Sequence, residues 1–234
     1  MTIARSIIWP GSFGDTSLPK INLGYTPPLA GAVYSWSADN LPLGPLTEWF
    51  DAVNGVRLGT DAGSPEVIVS DDGRAVSFDG VDDRMRTMLP EPIVGAHTVV
   101  VVYRLVSPKY GDVIVSDYSG APTASSQLSV ANTLNYVASS EGAVSFASPI
   151  AADTGWHVGI MHRDGANSAL RIDSQEETGT MPNTRNRVGV VLGYGTQPPA
   201  RSAIEVKRMD ILIGALDAPQ RATIANSLGA RYGI

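Results

Sequence analysis

The groups in this chain with the widest chemical reach are its carboxylates and its histidines. Asp79, Asp82 and Asp83 cluster in Phe78-Asp79-Gly80-Val81-Asp82-Asp83, with Asp112 and Asp117 further along. Oxygen-rich loops are what Ca²⁺ requires, so Asp79, Asp82 and Asp83 are candidate metal ligands. Aspartate also caps turns through its own side chain, and the cluster fits that role as well. Retaining glycosidases instead need two carboxylates about 5 Å apart, brought in on alternate residues of a strand. No Glu here is followed two residues later by Asp, and Glu176-Glu177 reads as a loop. The expectation is therefore a chain with no catalytic residues.

His97, His157 and His162 are the three histidines. His157 and His162 differ in strand parity and should point to opposite faces, which argues against a zinc site or a histidine-based triad. They read as surface or strand-end histidines with satisfied hydrogen bonds. With no cysteine in 234 residues there is no disulfide, thiolate site or thiol nucleophile. Sugar binding by a β-protein calls for an exposed aromatic platform beside amide groups. Tyr110, Tyr118, Tyr136 and Tyr194, with Asn132, Asn135 and Gln197 near them in sequence, are the candidates, and none ranks above the others.

The elements that must position these groups are mostly strands. Val76 and Phe78 alternate with Ser77, Asp79-Gly80 supplies a turn, and the chain resumes through Asp83 and Met85: strand, tight turn, returning strand. Residues 97–105 are apolar on both faces and predict a central strand. Further strands are predicted at 33–36, 66–70, 74–79, 112–116, 127–130, 134–138, 143–147, 156–163, 169–173, 188–192 and 203–213, while 46–51 fits a strand or a helical turn equally. Turn residues punctuate them at the short intervals of a sandwich. Near the end, Asp217-Ala218-Pro219-Gln220 is a helix start, Ile224, Leu228 and Tyr232 share one face, and Gly233 is a stop. Residues 1–30 carry Pro and scattered apolar residues without a period and read as an extended N-terminal arm, residues 31–234 as one domain. In the arm, Ile7, Ile8, Trp9 and Phe13 would each lose about 1.5 to 3 kcal/mol if left in water, so they must be covered, either by the sandwich if the arm wraps it as a strand or by a neighbouring subunit as an assembly contact.

The Phe-Asp-Gly-Val-Asp-Asp stretch resembles the signature of laminin-G-like, concanavalin-A-like jelly rolls. Trp156-His157-Val158-Gly159-Ile160, the Asp164-Gly165 turn and Leu170-Arg171-Ile172-Asp173 resemble the paired strands of that family, with Asp173-Ser174 where members often have Asp-Gly. The ending Leu228-Gly229-Ala230-Arg231-Tyr232-Gly233-Ile234 resembles the closing helix of such domains encoded by bacteriophages and bacteria. The resemblance implies an all-β antiparallel jelly-roll sandwich with one short C-terminal helix. It also suggests a loop-rim Ca²⁺ as the one cofactor to consider.

A net charge of -6 without a basic run argues against nucleic acid as a partner, and no stretch is long enough to span a bilayer. The absence of cysteine and of a signal-peptide core, together with an apolar arm, looks like a bacteriophage virion component made and folded in the host cytoplasm. The expectation is a non-enzymatic structural protein, a minor tail, tail-tip or head decoration protein, partnered by other virion proteins and oligomeric in the assembly. The alternative is an adhesin that binds host cell-surface polysaccharide.

Overall fold

A computed structural model describes residues 27–71, 73–117, 126–131, 133–140, 143–181, 186–194 and 202–234. In chain order the strands are β1 (Ala32–Ser37), β2 (Gly44–Pro45), β3 (Glu48–Phe50), β4 (Arg57–Ala62), β5 (Glu66–Ser70), β6 (Gly73–Asp79), β7 (Arg84–Ile93), β8 (His97–Leu105) and β9 (Val113–Asp117). They continue as β10 (Gln127–Val130), β11 (Asn135–Ser140), β12 (Ala143–Ala151), β13 (His157–Arg163), β14 (Gly165–Ile172), β15 (Gln175–Met181), β16 (Arg187–Leu192) and β17 (Ala203–Ile213), before helix α1 (Ala218–Tyr232).

The strands form two antiparallel sheets. One has the order β15-β14-β13-β8-β17-β6-β5-β2, with β1 also paired to β17; the other runs β12-β11-β10-β9-β16-β7-β4-β3. This is the all-β sandwich that the sequence predicts. The main core lies between the sheets, where Trp36, Trp49, Phe78, Met85, Tyr103, Leu128, Tyr136, Val190 and Met209 interlock.

Strand β8 sits centrally between β13 and β17, and its two apolar faces have separate uses. Val99, Val101, Tyr103 and Leu105 face the main core, while Val100 and Val102 belong to a second cluster with Val158, Ile160, Leu212, Ala225, Leu228 and Tyr232. That second cluster is the seat of α1 on the outer face of the first sheet. The helix starts where the capping box predicts: the Gln220 amide donates to Asp217 Oδ1 at 2.8 Å and the Asp217 amide to Gln220 Oε1 at 2.8 Å. It stops at Gly233, whose φ of 69° suits the left-handed cap. The second sheet carries no such helix in the described residues.

Several sequence expectations need correction. Segment 46–51 resolves as strand β3, because Trp49 points into the core opposite Leu58 of β4. Strand β4 was not legible, since Gly59 and Asp61 weaken its alternation. Glu176-Glu177 is not a loop but lies in β15, where Glu176 pairs with Arg171 and Arg221. Of the expected arm, residues 27–30 are described and already touch the sandwich: Arg208 Nη2 donates to the Pro27 carbonyl at 3.0 Å, and Leu29 packs on the second cluster.

Candidate functional site

The Asp79-Gly80 turn joins β6 to β7 and is held by two carboxylates. Asp79 Oδ1 accepts the amides of Val81 at 2.7 Å, Asp82 at 3.2 Å and Asp83 at 3.4 Å. Asp83 Oδ2 accepts the Asp79 amide at 2.9 Å, and Asp83 Oδ1 accepts the Ser64 amide at 2.6 Å, tying in the β4–β5 turn. Gly63, at φ 67°, is required there because a Cβ would collide with Asp83. Gly80, at φ 74°, lets the turn lie against Ala203 at the start of β17.

Asp79, Asp82 and Asp83 do come together, with carboxylate oxygens within 4.8 Å of one another. They line an open cleft of about 270 Å³ with Ser64, Glu66 and Ser77. Both Asp83 oxygens and Asp79 Oδ1 already face backbone donors, so the arrangement fits a turn cap first. Any Ca²⁺ would draw chiefly on Asp82 and Glu66, the other acids of the cleft.

The turn aims the next residues. In β7, Met85 and Leu89 enter the core, so the alternate residues Arg84, Arg86 and Met88 lie on the outer face of the second sheet. Asp61, at an irregularity in the β4–β7 ladder, receives both guanidiniums: Arg84 Nη2 on Oδ2, and Arg86 Nη2 on Oδ1 at 2.6 Å. The Arg84 guanidinium also lies 4.9 Å from the centre of the Tyr194 ring, a cation–π distance. Tyr194 is set by Gly193, at φ 75°, where a Cβ would strike Phe78 and the Asp83 backbone, and by Ser116 Oγ donating to the Tyr194 carbonyl at 3.2 Å. The hairpin signature therefore builds a rim of Arg84, Arg86, Asp61 and Tyr194.

The other candidates scatter. Tyr110 is 71% exposed in the loop after β8, and Asn135 donates Nδ2 to the Ser148 carbonyl at 2.9 Å. Tyr136 is a correction: it is fully buried in β11 and packs edge-on to Tyr103, so it offers no surface platform. Tyr118, Asn132, Gln197 and the arm residues Ile7, Ile8, Trp9 and Phe13 lie outside the described residues. Arg84, Arg86 and Asp61 were missed as site residues; the only sequence signal was the Arg-x-Arg alternation directly after the turn.

All three histidines are hydrogen-bonded and lie at or next to strand ends as expected, but they are buried and not at the surface. His157 and His162 do face opposite ways, the first into the main core beside Tyr136, the second toward the helix side, where Nδ1 meets Thr98 Oγ1 at 2.8 Å. His157 is gripped at Nδ1 by Asp173 at 2.7 Å and at Nε2 by Asp153 at 3.1 Å. Burial alone would lower its pKa, but the two carboxylates outweigh that and raise it. With both ring nitrogens held, His157 is poorly placed as a general base. At the first residue of β8, His97 Nδ1 lies 3.0 Å from the Gly95 carbonyl and Nε2 lies 3.3 Å from Arg187 Nε. Burial and the Arg187 charge push it down to about 3, so it is the neutral acceptor of that arginine. Arg187 also meets buried Asp117, which has Arg163 at 3.9 Å.

The fold and site define a two-sheet antiparallel β-sandwich with a short C-terminal helix and an arginine-tyrosine rim on the second sheet. No family model matches this chain, and no curated protein matches it in sequence. Solved structures share its fold. Domain 4 of AbnA, a GH43 extracellular arabinanase from Geobacillus stearothermophilus solved with arabinotriose, is 15% identical with a TM-score of 0.65, over 83% of this chain and 98% of that one. The binding domain of botulinum neurotoxin serotype D/C is 9% identical with a TM-score of 0.65, over 85% and 52%. Trypanosoma rangeli sialidase is 14% identical with a TM-score of 0.61, over 85% of this chain and 33% of its own, so this chain spans about a third of the sialidase.

Proposed function

We propose that this chain is a non-enzymatic, lectin-like display protein of a bacteriophage virion, a minor tail, tail-tip or head decoration protein, whose sandwich binds host cell-surface polysaccharide. The observation that favours binding over catalysis is that four candidate acids and the candidate base His157 are already engaged: Asp79 and Asp83 cap the turn, and Asp153 and Asp173 hold both nitrogens of His157. Hydrolysis of a glycosidic bond needs an acid and a second carboxylate or a base that face the sugar. The fold likeness to an arabinanase domain solved with arabinotriose supports a sugar ligand, and the likeness to a toxin binding domain supports a binding role. The virion assignment rests on the cysteine-free chain and on its closing Leu228-to-Ile234 stretch, which resembles the closing helix of such domains encoded by bacteriophages and bacteria. Its partners in this reading are other virion proteins and further copies of itself.

Two measurements test this. Antibody labelling of purified particles should place the protein on the virion, and its absence from particles sinks that assignment. The purified chain should sediment with host wall polysaccharide and release no reducing sugar from it; release of sugar would make it an enzyme, and failure to bind any wall polysaccharide would remove the lectin-like part.

A further inference from the structure

We propose that Asp153, Leu134 and Tyr110 form a binding strip for a neutral oligosaccharide at one end of the sandwich, with the Asp153 carboxylate accepting sugar hydroxyls and the two apolar side chains meeting sugar C–H faces. This rests on the glycan-binding reading above and names its site and ligand class. Strands β9, β10, β11 and β12 are consecutive antiparallel neighbours in the second sheet. The loop before β9, the β10–β11 turn and the loop after β12 therefore lie at the same end, and they carry Tyr110, Leu134 and Asp153 in that order. At a strand spacing of about 4.8 Å the strip from β9 to β12 runs about 14 Å, longer than one sugar ring.

The backbone fixes each of the three. In the turn from Lys109 to Asp112, the Asp112 amide donates to the Lys109 carbonyl at 3.2 Å and the Lys109 amide to Asp112 Oδ2 at 2.8 Å. Gly111, at φ 89°, takes the left-handed position and leaves Tyr110 exposed at the tip. The Gly111 amide donates to the Val130 carbonyl at 3.1 Å, joining this turn to the end of β10. Leu134 has a φ of 59°, where glycine or asparagine would sit with less strain, and its side chain is 43% exposed. Its amide donates to the Ala131 carbonyl at 2.9 Å and its carbonyl accepts the Ala152 amide at 2.6 Å, so the surroundings enforce the strain. An apolar side chain held outward from a strained position points to a use for that side chain.

The Ala152 bond also sets Asp153 beside the Leu134 turn. The Asp153 side chain is 60% exposed, and its Oδ1 accepts the Gly155 amide at 2.5 Å and lies 3.1 Å from His157 Nε2. Its Oδ2 makes no hydrogen bond among the described residues. Partial burial alone would raise its pKa, but the Gly155 amide and His157 outweigh that and lower it, so the group is ionised at neutral pH. Held through Oδ1, it is no free acid for catalysis, yet Oδ2 can accept two hydroxyls in charge-assisted bonds. Of the other charges near it, Asp173 is bonded to His157 and the Val158 amide, Arg171 is paired with Glu176, and Asp112 is buried. Arg104 and Lys207 sit over Trp156, which packs on the helix-side cluster. Exposed Lys109 and Asp153 are then the charges facing this end of β9–β12, a setting for a neutral sugar and not an anionic one.

The test is affinity electrophoresis of the full chain through gels containing arabinan, dextran, mannan or polygalacturonate. Retardation by a neutral polymer is expected, should persist in added NaCl, and should fall about fivefold or more in D153N, L134G and Y110A. L134G is the sharpest of these, because glycine relieves the strain: its melting temperature should hold while its binding falls. Y110A alters an exposed tip and should melt with the parent chain; D153N also loosens His157 and is read beside the other two. Retardation by a neutral polymer that is indifferent to all three substitutions, or by polygalacturonate alone, overturns this site and leaves the glycan-binding reading intact. Retardation by none of the four polymers overturns the site; sedimentation with host wall polysaccharide then decides the broader reading separately.

Discussion

Asp79 and Asp83 cap each other across one turn: the Asp79 carboxylate accepts the Asp83 amide, and the Asp83 carboxylate accepts the Asp79 amide. The same two side chains tie in Val81, Asp82 and Ser64, so three stretches of backbone depend on them.

Removing one of the pair should loosen the whole corner. Asp83→Ala strands the Ser64 and Asp79 amides, and bonds to charged acceptors contribute about 1.5–3 kcal/mol each. Urea unfolding should show a loss of roughly 3–6 kcal/mol. A loss below about 0.5 kcal/mol would mean that solvent replaces the cap and that the turn is not held this way.

Calcium is expected to add little. Three of the four Asp79 and Asp83 carboxylate oxygens already accept backbone amides, so thermal melts in millimolar CaCl₂ and in EDTA should coincide. A melting temperature that rises with CaCl₂ and falls back in EDTA, and does neither in Asp82→Asn, would place a cation beside that residue instead.

Two histidines should give stability an optimum in pH. His157, with Asp153 and Asp173 on it and Tyr103 and Tyr136 beside it, has a raised pKa. Its contribution is complete below the unfolded value near 6.5 and is lost as pH rises through the folded value. His97, among Arg187, Arg163 and His162, stays neutral in the fold to about 3. The unfolded chain protonates it near 6.5, so stability falls by up to about 1.4 kcal/mol per pH unit below that. Urea unfolding from pH 4 to 9 should show both limbs, with H157Q flattening the alkaline one and H97Q part of the acid one; unchanged limbs in either variant refute the corresponding assignment.

The buried arginines offer a double-mutant test. Asp117→Asn leaves Arg187 and Arg163 without their shared acid in the core, and breaking such a buried pair costs about 3–5 kcal/mol. Replacing Arg187 with Met in the same chain should recover part of that loss. Additive losses in the double variant would show that the Asp117–Arg187 contact carries no coupling.

The contrast between what was legible and what was not follows from range. The turn at Asp79-Gly80, the central strand at His97–Leu105 and the capped helix from Asp217 were readable because each depends on residues within a few positions of one another. Strand β4 and the β15 glutamates were not, because Gly59, Asp61 and Glu176 hold their places through partners on other strands and on the helix. Tyr136 reads as an exposed platform in the sequence because nothing local reveals that Tyr103 and His157 close over it.

By itself the sequence determined the class of fold, since alternation, turn residues and capping are short-range effects of backbone geometry and side-chain shape. Only the tertiary structure decided the site. Arg84 and Arg86 are two residues apart, but Asp61 and Tyr194 reach them through strand pairing and a glycine-dependent turn, and electrostatic contacts of a few ångströms carry no trace in the linear order of the chain.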